Sequence, residues 1–317
     1  MTGPVDACRE LPQLDEVVEL VERCAAGELS PAVALLRLLM ICGDAAAARA
    51  TLEGLAGRDD VAAIAAIQAV LRTHPDGGEL VLRILEHERR PDGAAPDDDE
   101  VARCARMFDR ALRESAEASV ALYSLGSPAL LEAATAEVVA LLDGLGVLAP
   151  GRRVLEIGCG IGRFQQALAG RVREIAGIDI APGMIAEARQ RCAGLPNVTL
   201  LQTSGRDLGA FAAAAFDLVL AIDSLPYVHR AGMALLETHF REVARVLRAG
   251  GDLVVLNLTY RGDLARDRED ARRLAALGGL EVLRNGSRDL ELWDGATFHL
   301  RKSGGPSAQP RGRSLRP

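Results

Sequence analysis

Val154-Leu155-Glu156-Ile157-Gly158-Cys159-Gly160-Ile161-Gly162 is the stretch on which the reading of this chain turns. A short apolar run ends in three glycines spaced two apart, and Arg163 follows where a helix should open. A glycine loop between a strand and a helix is a setting in which backbone N–H groups face a bound ligand. Glycines let the chain turn sharply there and let a ligand approach closer than a side chain would permit. The bland alternative is a glycine-rich turn with no ligand, so the neighbouring residues must decide.

From Pro150 onward the pattern alternates strand and helix, the signature of a parallel sheet with helices on both faces. Glu174 to Asp179 reads as the second strand, Val198 to Leu201 as the third, Phe216 to Ile222 as the fourth and Asp252 to Leu256 as the fifth. An amphipathic segment, Leu235 to Leu247, precedes the fifth and stops at Arg248-Ala249-Gly250-Gly251. A charged helix is expected around 263–277, then a closing pair of strands at Leu280–Leu283 and Thr297–Leu300. A dinucleotide fingerprint would carry its third glycine at position 163, which is arginine here, so a nicotinamide cofactor is disfavoured. Asp179 closes the second strand, where a carboxylate can accept hydrogen bonds from both ribose hydroxyls.

Taken together, Glu156, the G-x-G-x-G spacing of Gly158, Gly160 and Gly162, and Asp179 resemble the first motifs of class I methyltransferases that use S-adenosylmethionine (SAM). Phe216-Asp217-Leu218-Val219 looks like that family's fourth-strand motif. Leu247 to Leu253 resembles its L-x-P-G-G turn, with Ala249 in place of the proline. The resemblance covers about 100–302 and implies an α/β, Rossmann-like seven-stranded sheet whose last strand, Thr297 to Lys302, is antiparallel. It implies that the Gly158-Cys159-Gly160 loop and Gly162 face the methionine part of SAM, that Asp179 holds the ribose and that Ile180 packs on adenine. Asp207 is the candidate for the adenine amine, with a helix N-cap as its alternative. Phe108 and Tyr123 lie on the segment that covers the pocket in related enzymes, and Tyr123, before the Ser124-Leu125-Gly126 break, is expected to reach it.

Methyl transfer from a sulfonium is an in-line displacement that needs position and desolvation more than acid–base chemistry. If a base takes part, it should lie just past the fourth strand, in Asp223-Ser224-Leu225-Pro226-Tyr227-Val228-His229. Asp223, Tyr227 and His229 are the catalytic candidates there; His229 is a lone histidine that a solvated surface role would explain equally. The D/N-P-P-Y motif of amide- and nucleobase-nitrogen methylation is not matched, because two residues separate Asp223 from Pro226. The expected activity is transfer of the SAM methyl group to a small-molecule acceptor at oxygen, nitrogen or carbon. A SAM-binding regulatory or scaffold protein and another SAM-derived group transferase are the alternatives.

Residues 1–90 stand apart: apolar residues recur at helical spacing from Leu14 to His87, and no strand-like alternation occurs, so a small all-helical N-terminal domain is expected. Ser30-Pro31 reads as an N-cap followed by proline at the first helical position. A Pro/Asp-rich linker at 91–99, a methyltransferase domain at 100–302 and a disordered tail at 303–317 complete the expected organisation. The helical region is expected to shape the acceptor pocket, make a homodimer contact or serve a structural role. A net charge of -7 argues against nucleic acid as the main partner. The six cysteines form no C-x-x-C pair, so neither a zinc site nor a disulfide framework is read, which suits a reducing compartment. Met1 to Arg9 lacks signal-peptide character, and Ala32 to Cys42 is too short to span a bilayer. No metal, no membrane association and a cytoplasmic location are therefore expected.

Overall fold

The computed structural model describes residues 11–55, 60–89 and 99–304; the expected linker, apart from Asp99, and most of the expected tail lie outside them. The chain begins with α1 (Leu11–Ala25), α2 (Pro31–Cys42), α3 (Ala45–Gly54), α4 (Val61–Thr73) and α5 (Gly77–Arg89). Their boundaries follow from capping. The Ser30 hydroxyl accepts from the Val33 N–H at 3.2 Å and Pro31 occupies the first turn of α2. Gly43 (φ 67°) ends that helix in the left-handed conformation, and Asp44 caps α3 through the Ala47 N–H at 2.7 Å.

Next come α6 (Glu100–Glu114), α7 (Ala116–Val120), a 3-10 turn at Leu122–Ser124 and α8 (Pro128–Gly144). Two separate helices, α6 and α7, meet at Ser115. Ser115 is extended (φ -164°, ψ 131°) and its hydroxyl caps α7 by accepting from the Ala118 N–H, which ends α6.

The remainder alternates: β1 (Arg153–Ile157), α9 (Arg163–Leu168), β2 (Glu174–Asp179), α10 (Pro182–Arg191), β3 (Val198–Gln202), β4 (Phe216–Ile222), α11 (Leu225–Arg230), α12 (Met233–Val246), β5 (Leu247–Leu256), α13 (Leu264–Gly278), β6 (Leu280–Arg288) and β7 (Ala296–Lys302). These strands form one seven-stranded sheet in the order β3-β2-β1-β4-β5-β7-β6. The first five are parallel, and β7 runs antiparallel between β5 and β6. The Rossmann-like sheet with a reversed last strand is thus present. β6 runs past the expected Leu283 to Arg288, with register shifts that accommodate Gly286. The strand order reverses between β1 and β4, which opens a crevice beyond their carboxyl ends.

The N-terminal helices are built into the same core. Buried side chains of α1 to α5, including Leu35, Leu38, Leu52 and Ile67, form one continuous cluster with Tyr123, Leu125 and Leu131 and with Val154, Leu218 and Val254 on one sheet face. The segment between β6 and β7 is tied to α2 from above: Ser30 Oγ donates to the Leu292 carbonyl at 2.8 Å, and Arg37 is ion-paired with Asp294. Buried side chains of α1–α5 and of one face of the sheet therefore share one core cluster.

At the far end of the sheet, Asp252 is fully buried on β5 and receives Arg152 Nη1 at 2.7 Å, His299 Nε2 at 2.9 Å and Arg301 Nε at 2.9 Å. Burial pushes its carboxyl upward, but these donors outweigh it and hold the pKa at about 2.

Candidate functional site

The loop after β1 is sewn to β2 by the Gly158 and Cys159 N–H groups, which both donate to the Ile178 carbonyl at 2.8 and 2.9 Å. Gly158, Gly160 and Gly162 all have positive φ (74°, 50° and 80°), which an L side chain rarely adopts. A Cβ on Gly160 would lie 2.6 Å from Val120 Cγ1, so α7 closes tightly over the loop. Gly158, Cys159 and Gly160 line the main cavity. Gly162 does not: its α-carbon faces α10, where a Cβ would meet Ala188 Cβ and Cys192 Sγ at 3.1 Å. Of the three glycines, the third is a packing residue, because α9 starts there and must pass close to α10. Burial pushes the Cys159 thiol well up, so Cys159 offers its backbone to the cavity rather than a thiolate.

Asp179 ends β2 beside this loop. Its Oδ2 accepts from the Gly160 N–H and its Oδ1 from the Ala181 N–H, each at 2.9 Å. Burial raises its pKa, and the backbone N–H groups of Ala181, Gly160 and Ile180 oppose that rise. Each carboxylate oxygen has a further lone pair, so the group is fixed in place yet able to accept from a diol. Ile180 also lines the cavity. Asp207 reaches the cavity edge, exposed, with Oδ1 accepting from the Gly209 N–H at 2.8 Å. It closes a turn; no helix begins there, so the N-cap alternative falls away.

Glu156 is 1% exposed and accepts from Gln165 Nε2 at 2.7 Å. Burial pushes its carboxyl up to about 7; the Gln165 hydrogen bond and the Arg163 guanidinium oppose the rise, and the Asp179 charge adds to it. Two further polar atoms at the cavity wall, Arg163 Nη1 and Ser224 Oγ, are buried with no hydrogen-bond partner among the described residues. Buried polar groups are normally paired, so both imply a ligand atom or water opposite them.

Beyond the carboxyl ends of β4 and β5, Asp223 (φ 58°) and Asn257 (φ 62°) are both left-handed, a strained state that clusters at functional sites. The Ala296 N–H donates to Asn257 Oδ1 at 3.0 Å, and Asn257 Nδ2 donates to Asp223 Oδ1 at 3.0 Å. The Tyr260 hydroxyl also hydrogen-bonds Asp223. Burial raises the Asp223 pKa, with the Tyr260 and Asn257 hydrogen bonds opposing. Tyr227 stacks edge-on between Phe108 (4.8 Å between centroids) and Tyr260 (5.7 Å). Tyr123 is 6% exposed, lies parallel to Trp293 at 6.0 Å and is hydrogen-bonded by Arg163.

These groups share one cavity of about 930 Å³. Asp223, Tyr227 and Tyr123 line it together with Glu156, Asp179 and Ile180. His229 is not brought in: it sits half-buried in the last turn of α11, outside the cavity wall, because that turn carries Tyr227 and Val228 inward and His229 aside. Asn257, Tyr260, Arg163 and Trp293 were missed by the sequence reading. The signal that marks two of them is scarcity. The chain has three tyrosines and one tryptophan, and all four line this cavity. The cavity also extends past the sheet to α1, α2 and α5, through Leu20, Leu36, Met40, Ile84 and their neighbours.

Comparison with known proteins agrees with this geometry. Residues 155–255 match the family described as a methyltransferase domain. The demethylmenaquinone methyltransferase of Tropheryma whipplei is 36% identical over 116 residues, covering 37% of this chain and 45% of the relative. The aklanonic acid methyltransferase of Streptomyces sp. (strain C5) is 37% identical over 116 residues, covering 35% and 50%. The chain thus spans about half the length of the curated relatives it matches. Among solved structures, phosphoethanolamine N-methyltransferase 1 of Haemonchus contortus, determined with phosphoethanolamine and S-adenosylhomocysteine, shares the fold at a TM-score of 0.50. That match has 16% identity and covers 64% of this chain and 49% of the other. The matched segment, with its glycine loop, is similar to a methyltransferase domain, and the seven-stranded sheet that carries it has the fold of the phosphoethanolamine N-methyltransferase structure.

Proposed function

We propose that this protein transfers the methyl group of SAM to a small-molecule acceptor held in the same cavity. The observation that carries this reading is the continuity of one 930 Å³ space from the Gly158–Gly160 loop and Asp179, past Asp223 and Tyr260, to α1, α2 and α5. Its volume lies near the top of the range of roughly 300–1,000 Å³ found for ligand pockets, which suits two molecules better than one. The residues fit SAM on the structure's own terms. The Gly160 loop is closed to any side chain, Asp179 has lone pairs to spare, and Arg163 and Ser224 offer unpaired donors to a carboxylate.

When bound, SAM supplies an electrophilic methyl group on a sulfonium. Asp179 would hold the ribose hydroxyls, Ile180 would pack on adenine, Arg163 Nη1 and Ser224 Oγ would take the methionine carboxylate, and Glu156 would lie near positive charge. Asp223 is the group we assign to the acceptor's proton. It is half-buried, its desolvation raises its pKa and so favours the protonated form, and Asn257 and Tyr260 fix its carboxylate at the end of β4. Tyr227 and Phe108 would shape the acceptor's seat and exclude water. The region before position 90 we read as the acceptor-side wall rather than as a separate module. Both curated relatives are named for small organic acceptors, which supports the substrate class.

The strained Asp223–Asn257 pair favours turnover over a purely regulatory SAM-binding role, because a donor site alone would not require it. The test is incubation of the protein with methyl-labelled SAM and an extract of small metabolites. Label should move into an extractable small molecule, and it should not do so with the Asp223→Asn variant. Label that stays with SAM, although SAM binds, would favour the regulatory reading.

A further inference from the structure

We infer that the methyl acceptor is amphipathic, with its reacting polar end at Asp223 and Tyr260 and an apolar body lying along α2 between α1 and α5. This rests on the proposed methyl transfer and adds the chemical class of the acceptor.

In α2, Pro-Ala-Val-Ala-Leu-Leu-Arg-Leu-Leu-Met-Ile-Cys, Arg37 is the sole charged residue. A helix that is apolar all round belongs in the interior. One face meets that requirement: Ala34, Leu35, Leu38 and Leu39 are at most 1% exposed in the helical core. The other face does not. Leu36 and Ile41 are only partly buried against that core, Met40 is 47% exposed, and all three line the cavity. Arg37, on that same face, is drawn off by its ion pair with Asp294. The same cavity is lined by Leu20 of α1, Ile84 of α5 and Leu122 of the 3-10 turn.

Apart from Arg37 and Asp294, which line the cavity and are ion-paired with each other, and Arg288, the polar lining near this arm falls into two groups. At the inner end are Asp223, Asn257, Tyr227 and Tyr260; at the outer end Glu16, Glu19 and Arg23 of α1. An acceptor that was polar throughout would leave its middle unpaired against aliphatic side chains, which is costly. An apolar body would cover the α2 stripe instead, and the arm is continuous with the site where the nucleophile must sit.

The test uses the full chain saturated with S-adenosylhomocysteine and a series of 4-n-alkylphenols from ethyl to octyl, titrated by calorimetry. Affinity should rise about threefold to fourfold per methylene, the gain for a CH2 group that becomes buried, and level off once the arm is filled. Leu36→Glu should abolish that dependence while S-adenosylhomocysteine affinity stays within about twofold. Met40→Glu, at a position already half exposed, should do the same and serves if the first variant folds poorly. An affinity independent of chain length would mean that something other than the acceptor covers the α2 stripe, and would overturn the inference while leaving the donor site standing. A chain-length dependence that survives both substitutions would place the phenols elsewhere and overturn it as well. Failure of native protein to bind S-adenosylhomocysteine would overturn the proposed function itself, and this inference with it.

Discussion

Replacing Asp179 with alanine tests the donor site where its geometry is most explicit. The carboxylate accepts from the Gly160 and Ala181 N–H groups at 2.9 Å and lines the cavity. Two hydrogen bonds from ribose hydroxyls to an ionised acceptor contribute about 1.5–3 kcal/mol each. Asp179→Ala should therefore weaken SAM and S-adenosylhomocysteine binding by about 3–6 kcal/mol, or roughly 10² to 10⁴-fold. Asp179→Asn keeps one acceptor but turns an amide toward the Gly160 or Ala181 N–H, and should lose roughly 10- to 100-fold. Fold stability should change little in either variant. The lost N–H contacts, about 1 kcal/mol each, are offset by removal of a buried charge whose pKa burial already raises. Isothermal titration gives the affinities and a thermal melt gives the stability. Undiminished SAM affinity in Asp179→Ala, with a native melt, would refute the ribose assignment.

Gly160→Val should abolish SAM binding, because its Cβ would meet Val120 Cγ1 at 2.6 Å in a left-handed backbone; far-UV circular dichroism should stay near native, and normal binding would show that the loop is not the cradle. Glu156 titrates near 7 in the free protein, and a cationic ligand beside it should lower that pKa. SAM binding at pH 7 should then release up to about half a proton, read as a dependence of binding heat on buffer ionisation that Glu156→Gln removes. Asp252, depressed to about 2 against an unfolded value near 3.9, contributes stability that is present above about pH 4 and lost as pH falls through 2. In urea melts the gap between native protein and Asp252→Asn, about 2–3 kcal/mol at pH 7, should shrink as pH falls from 4 toward 2; a constant gap would contradict it. A chain starting at Asp99 would expose Tyr123, Leu125 and Leu131, now buried in the shared cluster, and should lose cooperative unfolding; a soluble fragment with a native melt would show that α1–α5 are dispensable.

The sheet was legible because its signals are local. Apolar runs closed by glycines define β1 to β5, and Gly158 and Gly160 need conformations that few other residues tolerate. The position of Asp179 was legible for the same reason: it ends the second strand, beside the glycine loop, where it accepts from the Gly160 N–H. Gly162 shows the limit, since a motif glycine that faces α10 reads the same as one that faces a ligand. His229 and Tyr227 are two residues apart on one short helix, and only the packing of α11 decides which turns inward. Asn257 and Tyr260 follow β5 with no motif of their own; their pairing with Asp223 exists only because β4 and β5 are neighbours in the sheet. The role of α2 was hidden because an apolar helix reads alike whether both its faces meet protein or one meets a cavity.

The most direct measurement is a crystal structure of the protein grown with S-adenosylhomocysteine. Adenosine should lie with its ribose hydroxyls on the Asp179 carboxylate and its adenine against Ile180. The homocysteine should lie over Gly158–Gly160 with its carboxylate toward Arg163 and Ser224, and its sulfur should face the space bounded by Asp223, Tyr227 and Tyr260. Ligand density lying elsewhere, or a sulfur turned away from that space, would contradict it.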